Sequence, residues 1–131
     1  LPIYNIPFYI SKADEEYMEK DDFVFGTLPK ASGYLKENDI LKLGDEIIKV
    51  LETPGHTKGG LCFLLNNDKV FTGDTLFNGS IGRTDFIGGS MSEIINSIKE
   101  KLLPLGDRVD VYPGHGDMTT IEHEKKYNPF L

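Results

Sequence analysis

The sequence has one cysteine, Cys62, and no tryptophan. A single cysteine cannot form a disulfide within the chain, so a disulfide-stabilised scaffold is excluded. Cys62 stands in the apolar run Leu61–Leu65, with no basic neighbour that would lower the pKa of its thiol. We therefore interpret Cys62 as a small buried hydrophobic residue and not as a redox centre.

Positive charge and long apolar runs are also scarce. Lys and Arg number 14 against 21 Asp and Glu, which gives a net charge of −7. Because nucleic-acid binding relies on basic patches, we expect no nucleic-acid partner. No apolar run approaches the ~18 residues that span a bilayer, and no signal-peptide pattern is present. We therefore expect no membrane partner and predict a cytoplasmic protein.

The composition is that of one ordinary folded domain. The chain has 131 residues, of which 39% are hydrophobic and 27% are charged, enough for one core. Strand-like runs alternate with helical patterns, which favours an α/β fold with one domain over residues 1–131. The first residue is Leu1 instead of methionine. We therefore expect that a segment was removed from the front or that the chain is a fragment.

A hairpin at the centre of the chain carries two candidate metal ligands. The strand-like runs Leu61–Leu65 and 69–72 flank a polar turn at residues 66–68. His56 lies in a glycine-bearing loop before this hairpin, and Asp74 lies in another after it. Because a hairpin returns the chain to its starting point, the two side chains are predicted to converge.

Flanking segments complete the predicted secondary structure. Ser90 and Glu93 form a capping-box pattern before a helix over residues 91–103, which ends at Pro104. The apolar face predicted for this helix consists of Met91, Ile94, Ile95, Ile98 and Leu102. The other predictions are a strand at 4–10, a capped helix from Ser11, an irregular segment at 21–32, short strands within 34–51, a loop at 76–90, a strand at 108–112 and a last helix capped by Thr119 or Thr120 and ending at Tyr127.

Three residues share one context, because His56, Asp74 and His115 each follow a strand in a glycine-bearing turn. Glycine allows a close approach of the backbone, and imidazole and carboxylate are ligands that zinc and iron use. The sequence Pro-Gly-His occurs at both histidines. These three residues are the predicted metal ligands, whereas His123, in a polar run, is interpreted as an exposed helix residue.

The chain resembles the metallo-β-lactamase superfamily, and within it the short glyoxalase II-like hydrolases. The motifs that carry the resemblance are Thr53-Pro-Gly-His56-Thr, Phe71-Thr-Gly-Asp74-Thr, Gly82-Arg-Thr-Asp85-Phe, Tyr112-Pro-Gly-His115-Gly and the final Asn128-Pro-Phe-Leu. The resemblance implies a four-layer αββα sandwich with two zinc ions at one edge. It implies that His56 binds the first metal, that Asp74 bridges both metals as a catalytic residue, and that His115 binds the second.

The family's first motif, His-x-His-x-Asp-His, is absent, since no histidine precedes His56. The comparison therefore implies the C-terminal part of such a hydrolase, with an incomplete metal site that holds at most one weakly bound ion. It also leaves an apolar sheet surface without its usual cover. We therefore expect a homo-oligomer or a retained N-terminal segment as the partner of this chain.

Three further residues are candidates for the surroundings of the site. Arg83 and Asp85 lie in the glycine-rich loop, where they either orient the site or brace the loop as an ion pair. Lys58 either meets an anionic small-molecule substrate or is an ordinary exposed lysine.

Three functional hypotheses remain open at this point. The leading one is a fragment of a zinc-dependent thioester or ester hydrolase. The second is a mononuclear-iron persulfide dioxygenase, which the Gly82-Arg-Thr-Asp85-Phe loop also resembles. The third is a non-catalytic, self-associating polypeptide. The substrate does not follow from the sequence.

Overall fold

A six-stranded sheet forms the centre of the structure, a computed structural model that describes residues 9–10, 33–85 and 87–131. Its strands are β3 (Ile40–Leu43), β4 (Glu46–Glu52), β5 (Leu61–Leu65), β6 (Lys69–Gly73), β9 (Asp110–Pro113) and β10 (Thr119–Thr120). The strand order is β10-β9-β6-β5-β4-β3, with β6 and β9 parallel and every other neighbouring pair antiparallel.

The predicted central hairpin is confirmed. Strands β5 and β6 pair antiparallel, with Leu65 opposite Lys69. The turn uses Asn66 and Asn67 at φ 51° and 63°. These are left-handed conformations, which asparagine tolerates better than most residues. Strand β6 runs to Gly73, one residue beyond the predicted end.

Helix α1 (Met91–Ser97) packs on one face of the sheet. The side chain of Ser90 caps it by accepting a hydrogen bond from the backbone N–H of Glu93 at 3.2 Å. Ile94 and Ile98 are fully buried, which confirms the predicted apolar face. Met91, however, is 47% exposed, so its assignment to that face is wrong. It lies at the first helical position, where the helix has just begun to cross the sheet.

The prediction of one helix over residues 91–103 is correct in extent but not in type. Only Met91–Ser97 is α-helical; a π-helical segment (Ile98–Leu102) and a 3₁₀ turn (Leu103–Leu105) follow. Pro104 has no backbone N–H, and its ring clashes with the carbonyl four residues earlier in an α-helix. Regular α-helical bonding therefore cannot continue through Pro104, and the chain instead ends in a tighter turn.

The core lies between the sheet and α1. Alternate residues of the central strands, such as Leu64, Val70 and Val111, are buried in one cluster with Ile94 and Ile98. On the opposite face, Phe71 is 41% exposed and stacks on Tyr112, with ring centroids 5.4 Å apart. The predicted self-association of the chain stays a prediction.

The segment 76–90, predicted to be a loop throughout, contains a short hairpin. Strand β7 (Leu76–Phe77) pairs antiparallel with β8 (Ser80–Ile81). Two residues per strand are too few for a periodic sequence signal, so this part of the prediction is wrong. The prediction of a strand at 108–112 is close to β9, and the last helix, α2 (Ile121–Tyr127), begins at the cap Thr120 as predicted.

The N-terminal predictions are only partly covered. Strands β1 (Tyr9–Ile10) and β2 (Gly33–Tyr34) pair in parallel, and β1 overlaps the end of the strand predicted at 4–10. The helix predicted from Ser11 and the irregular segment 21–32 lie outside the described residues. In the part of the chain that is described, no helix is both long and apolar enough to span a bilayer.

Candidate metal centre

The sheet topology brings the three predicted ligands to one edge. Strands β4 and β6 are both antiparallel to β5, and β9 is parallel to β6. The C-terminal ends of β4, β6 and β9 therefore point to the same edge of the sheet. His56, Asp74 and His115 follow these ends, which is why residues distant in sequence meet there.

The carboxylate of Asp74 lies between the two imidazoles. Nε2 of His56 is 3.5 Å from Oδ2 of Asp74, and Nε2 of His115 is 3.1 Å from Oδ1. Each histidine thus contacts a different oxygen of one carboxylate. The three ligands predicted from sequence are close together, with Asp74 in the middle.

These distances fit two metal positions that share Asp74. Two ligand atoms on one tetrahedral zinc, each bonded at ~2.0–2.1 Å, lie about 3.3 Å apart. The two nitrogen–oxygen pairs, at 3.5 and 3.1 Å, bracket that separation. Within the described residues, no three His, Cys, Asp or Glu side chains form a group that could hold one ion. The donor set thus offers two ligands to each of two positions.

Backbone groups fix the ring of His56. Its Nδ1 lies 2.8 Å from the carbonyl oxygen of Arg83, so donation of the Nδ1 proton leaves Nε2 facing Asp74. A Cβ atom at Gly82 would lie only 1.7 Å from the carbonyl oxygen of Asp74 and 3.4 Å from Nδ1 of His56. Glycine at this position therefore permits the close approach of the two loops.

Helix α1 holds the turn that precedes His56. The hydroxyl of Ser97 donates to the carbonyl of Pro54 at 2.7 Å, and the N–H of Ser90 donates to the carbonyl of Gly55 at 2.8 Å. A Cβ atom on Gly55 would lie 2.3 Å from Ile94. The Ser90 N–H thus bonds to the ligand turn, and the same packing that forms the core also positions a ligand.

A buried chain of polar side chains joins the loops of His56 and Asp74. The hydroxyl of Thr53 lies 3.2 Å from Sγ of Cys62 and 3.3 Å from the hydroxyl of Thr75. Burial raises the pKa of the Cys62 thiol to about 11, partly offset by hydrogen bonds from these two threonines. The interpretation of Cys62 as buried is confirmed. Its contact with Thr53 was not predicted, because only the strand register reveals it.

His115 is held less tightly than His56. Its side chain is 77% exposed, compared with 24% for His56. Besides Asp74, it contacts the ring of Phe77 edge-on, with centroids 5.9 Å apart. Phe77 lies in the β7–β8 hairpin, which the sequence did not reveal, so its contribution to the site was missed.

Arg83 and Asp85 form a two-pronged ion pair on the surface. Nε of Arg83 donates to Oδ1 of Asp85 at 3.0 Å, and Nη2 of Arg83 donates to Oδ2 of Asp85 at 2.9 Å. The hydrogen bond from Arg83 lowers the pKa of Asp85 and, reciprocally, raises that of Arg83. The loop-bracing ion pair is therefore present, and the contact of Arg83 with His56 comes from its backbone.

Lys58 and His123 both have exposed side chains. Lys58 is exposed, and a Cβ atom on Gly88 would lie 3.5 Å from its Cγ. His123 is exposed on α2, and its ring lies 5.0 Å from that of Tyr127. The residues that the structure brings together are His56, Asp74 and His115.

The profile of the Metallo-beta-lactamase superfamily matches residues 2–115, which include all three predicted ligands. The chain belongs to this superfamily. The predicted fold class, α/β as part of the superfamily's αββα sandwich, is confirmed.

Individual members of the superfamily agree with this assignment. Hydroxyacylglutathione hydrolase GloC of Haemophilus influenzae is 43% identical over 86% of this chain and 61% of its own length. The structure of TTHA1623 in a di-iron-bound form superimposes with a TM-score of 0.83, at 33% identity, over 96% of this chain and 65% of that one. ETHE1 from Myxococcus xanthus gives 0.72 at 40% identity, over 76% and 45%.

The chain spans 66% and 61% of the length of two curated relatives that it matches.

Proposed function

We propose that this chain is part of a metal-dependent hydrolase of thioesters or related esters, and that it supplies His56, Asp74 and His115 as metal ligands. The observation that carries the proposal is the position of Asp74, with one imidazole at each of its two oxygens. A bridging carboxylate is the arrangement that a two-metal hydrolytic site needs. The similarity to hydroxyacylglutathione hydrolase GloC supports a hydroxyacyl thioester as substrate.

Bound metal ions would activate water and polarise the carbonyl group of the substrate. The residues of this chain would hold the metal ions and orient the groups that bind them. Arg83 presents its carbonyl to Nδ1 of His56, which selects the tautomer that carries its lone pair on Nε2. Asp74 presents its two oxygens to opposite sides, and His115 faces one of them from the solvent side.

Zinc is the metal that we propose, with iron as the alternative, since one solved relative is in a di-iron form. The residues of this chain alone provide two ligands to each position. A catalytic zinc site uses about three protein ligands and one open position. We therefore propose that residues 1–131 hold at most one weakly bound ion and that the remaining ligands come from outside them.

A mononuclear-iron persulfide dioxygenase is the second candidate. The observation that favours it is the 40% identity to ETHE1 from Myxococcus xanthus, which covers 76% of this chain. The pairing of His115 with Asp74 at 3.1 Å supports the hydrolase instead, because it supplies a second metal position.

The complete gene product that contains this chain separates the candidates. We expect it to contain about two metal ions per chain, as in other two-metal sites, and to cleave a hydroxyacylglutathione thioester. Asp74→Asn should abolish turnover, whereas Glu122→Gln, an exposed change on α2, should not. One iron per chain, with oxygen consumption on a thiol persulfide, would support the dioxygenase. If the complete gene product shows neither activity, the non-catalytic hypothesis remains.

A further inference from the structure

Glu124 is fully buried although it is an acidic residue in the middle of the short helix α2. A buried carboxylate is costly unless hydrogen-bond donors surround it. Here Oε1 accepts from the N–H of Gly79 and the side-chain amide of Asn128, each at 2.9 Å. Oε2 accepts from the hydroxyl of Thr119 at 2.6 Å. We name these four residues the Glu124 cluster.

The cluster joins segments that lead to His115. Thr119 closes the loop that begins with His115, and Gly79 lies in the β7–β8 hairpin, two residues after Phe77. The ring of Phe77 contacts the His115 imidazole. A second link between the same segments runs from the amide of Asn78 to the carbonyl of Met118, at 3.3 Å. Glu124 thus connects the far ends of the two segments that determine where His115 lies.

Asn128 extends the cluster to the last residues of the chain. Its amide also donates to the carbonyl of Ser80 at 3.1 Å, and its Oδ1 accepts from the N–H of Phe130 at 2.9 Å. The hairpin is therefore held at both Gly79 and Ser80 by groups that lie on or directly after α2. A leucine in place of Glu124 could fill the same space, but it would leave these donors unpaired.

The two histidines depend on different supports. His56 is fixed by the carbonyl of Arg83 and by α1. The start of the Arg83 loop is held separately, because the N–H of Gly82 donates to the carbonyl of Thr75 at 3.1 Å. His115 is 77% exposed and relies on the loop and on Phe77. A change at Glu124 should therefore displace His115 while His56 remains in place.

We propose that Glu124 is a positioning residue for the metal ligand His115, acting through Thr119 and through Gly79 and Phe77. The inference rests on the proposed metal site. It assigns to the last helix, α2, a role at the site that the ligand motifs do not reveal. Groups that orient metal ligands without touching the ion typically change metal affinity about 10–100-fold when they are removed.

Zinc titration followed by NMR of the histidine rings tests this role on the full chain. Its three histidines give three assignable ring signals, and His123 reports any zinc bound outside the site. With Zn²⁺ alone as the probe, the signals of both His56 and His115 should shift in the parent protein. Because these residues are proposed to hold at most one ion, zinc at the two positions is mutually exclusive and both rings titrate together. In Glu124→Gln we therefore expect the ratio of the His115 shift to the His56 shift at saturating zinc to fall about tenfold.

Glu122→Gln is the matched control, because Glu122 is on the same helix but exposed, where it pairs with Lys126. It should leave the ratio of the His115 shift to the His56 shift unchanged. If Glu124→Gln does not fold, Thr119→Val removes one donor from the cluster and should weaken His115 selectively, whereas Thr119→Ser should restore it.

The outcomes separate the two proposals. If neither His56 nor His115 responds to zinc in the parent protein, the metal site itself is refuted. If both respond, but the cluster variants weaken both equally or neither, Glu124 serves only the fold and the positioning role is refuted. A selective loss at His115, restored by the serine variant, supports it.

Discussion

The carbonyl oxygen of Arg83 lies 2.8 Å from Nδ1 of His56, so the backbone of one loop orients a side chain of another. Sequence inspection singles out the guanidinium of Arg83, but the group that reaches His56 belongs to the main chain. A side-chain substitution at Arg83 can therefore leave this contact intact, whereas a change in the path of the loop cannot.

Gly82→Ala should disrupt this contact. The added methyl group would lie 1.7 Å from the carbonyl oxygen of Asp74, so the two loops must separate. We expect a loss of about 1–3 kcal/mol in the free energy of unfolding, typical of overpacking, together with a shifted ring signal of His56. Chemical denaturation and NMR measure the two effects. Gly44→Ala is the control: nothing lies within 4 Å of the added Cβ, but Gly44 has φ 61°, so the variant should lose stability through its own turn and leave the His56 signal unchanged.

Arg83→Gln should barely affect stability, because the ion pair with Asp85 is on the surface and the carbonyl is retained. If the guanidinium also contacts an anionic substrate, KM of the complete gene product should rise about ten- to a hundredfold with kcat unchanged, as expected for the loss of one charge-assisted hydrogen bond. Steady-state kinetics measures this split. An equal KM in Arg83→Gln and the parent would show that the ion pair only braces the loop.

Ser97→Ala should weaken the support of the His56 turn by removing the hydrogen bond to the carbonyl of Pro54. The expected cost is about 1 kcal/mol in the free energy of unfolding. Asn96→Ala, one residue earlier and exposed, is the matched control. Equal destabilisation by the two variants in thermal unfolding would contradict the role of Ser97.

Cys62 predicts a loss of stability in alkali. Its pKa is about 11 in the folded protein and 9.0 in the reference state, so the unfolded chain loses the thiol proton first. The stabilisation is fully present below pH 9 and declines as the pH rises through 11, by about 2–3 kcal/mol in total. Unfolding of the parent and of Cys62→Val between pH 8 and 11 isolates this contribution, since the variant has no thiol. Identical pH dependence in both would contradict it.

The sequence was sufficient for the parts of the fold that have a long repeating pattern or a distinctive turn. The hairpin of β5 and β6, the buried face with Ile94 and Ile98, and the caps Ser90 and Thr120 all have such signals. The convergence of the ligands followed from strands that end in glycine-bearing turns. Each of these features depends on neighbouring residues in the chain.

The features that the sequence did not reveal depend on contacts between distant segments. Strands β7 and β8 are too short to show alternation, and with them the contact of Phe77 with His115 was missed. Glu124 stands among charged residues on α2 and reads as a surface residue, because two of its three donors, Gly79 and Thr119, lie outside the helix and its cap. Such groups become visible only when the register of all strands is known.

The path of the chain between the strands also has a consequence for how the protein folds. His56 and Asp74 are connected through strands that pair with their immediate neighbours in sequence, β4 with β5 and β5 with β6. His115 arrives on β9, which reaches β6 only after the chain has passed through α1. Closing that longer loop costs more entropy and slows the pairing. We therefore expect the segment that contains His56 and Asp74 to form first during folding, and His115 to join it only when the crossover through α1 has docked.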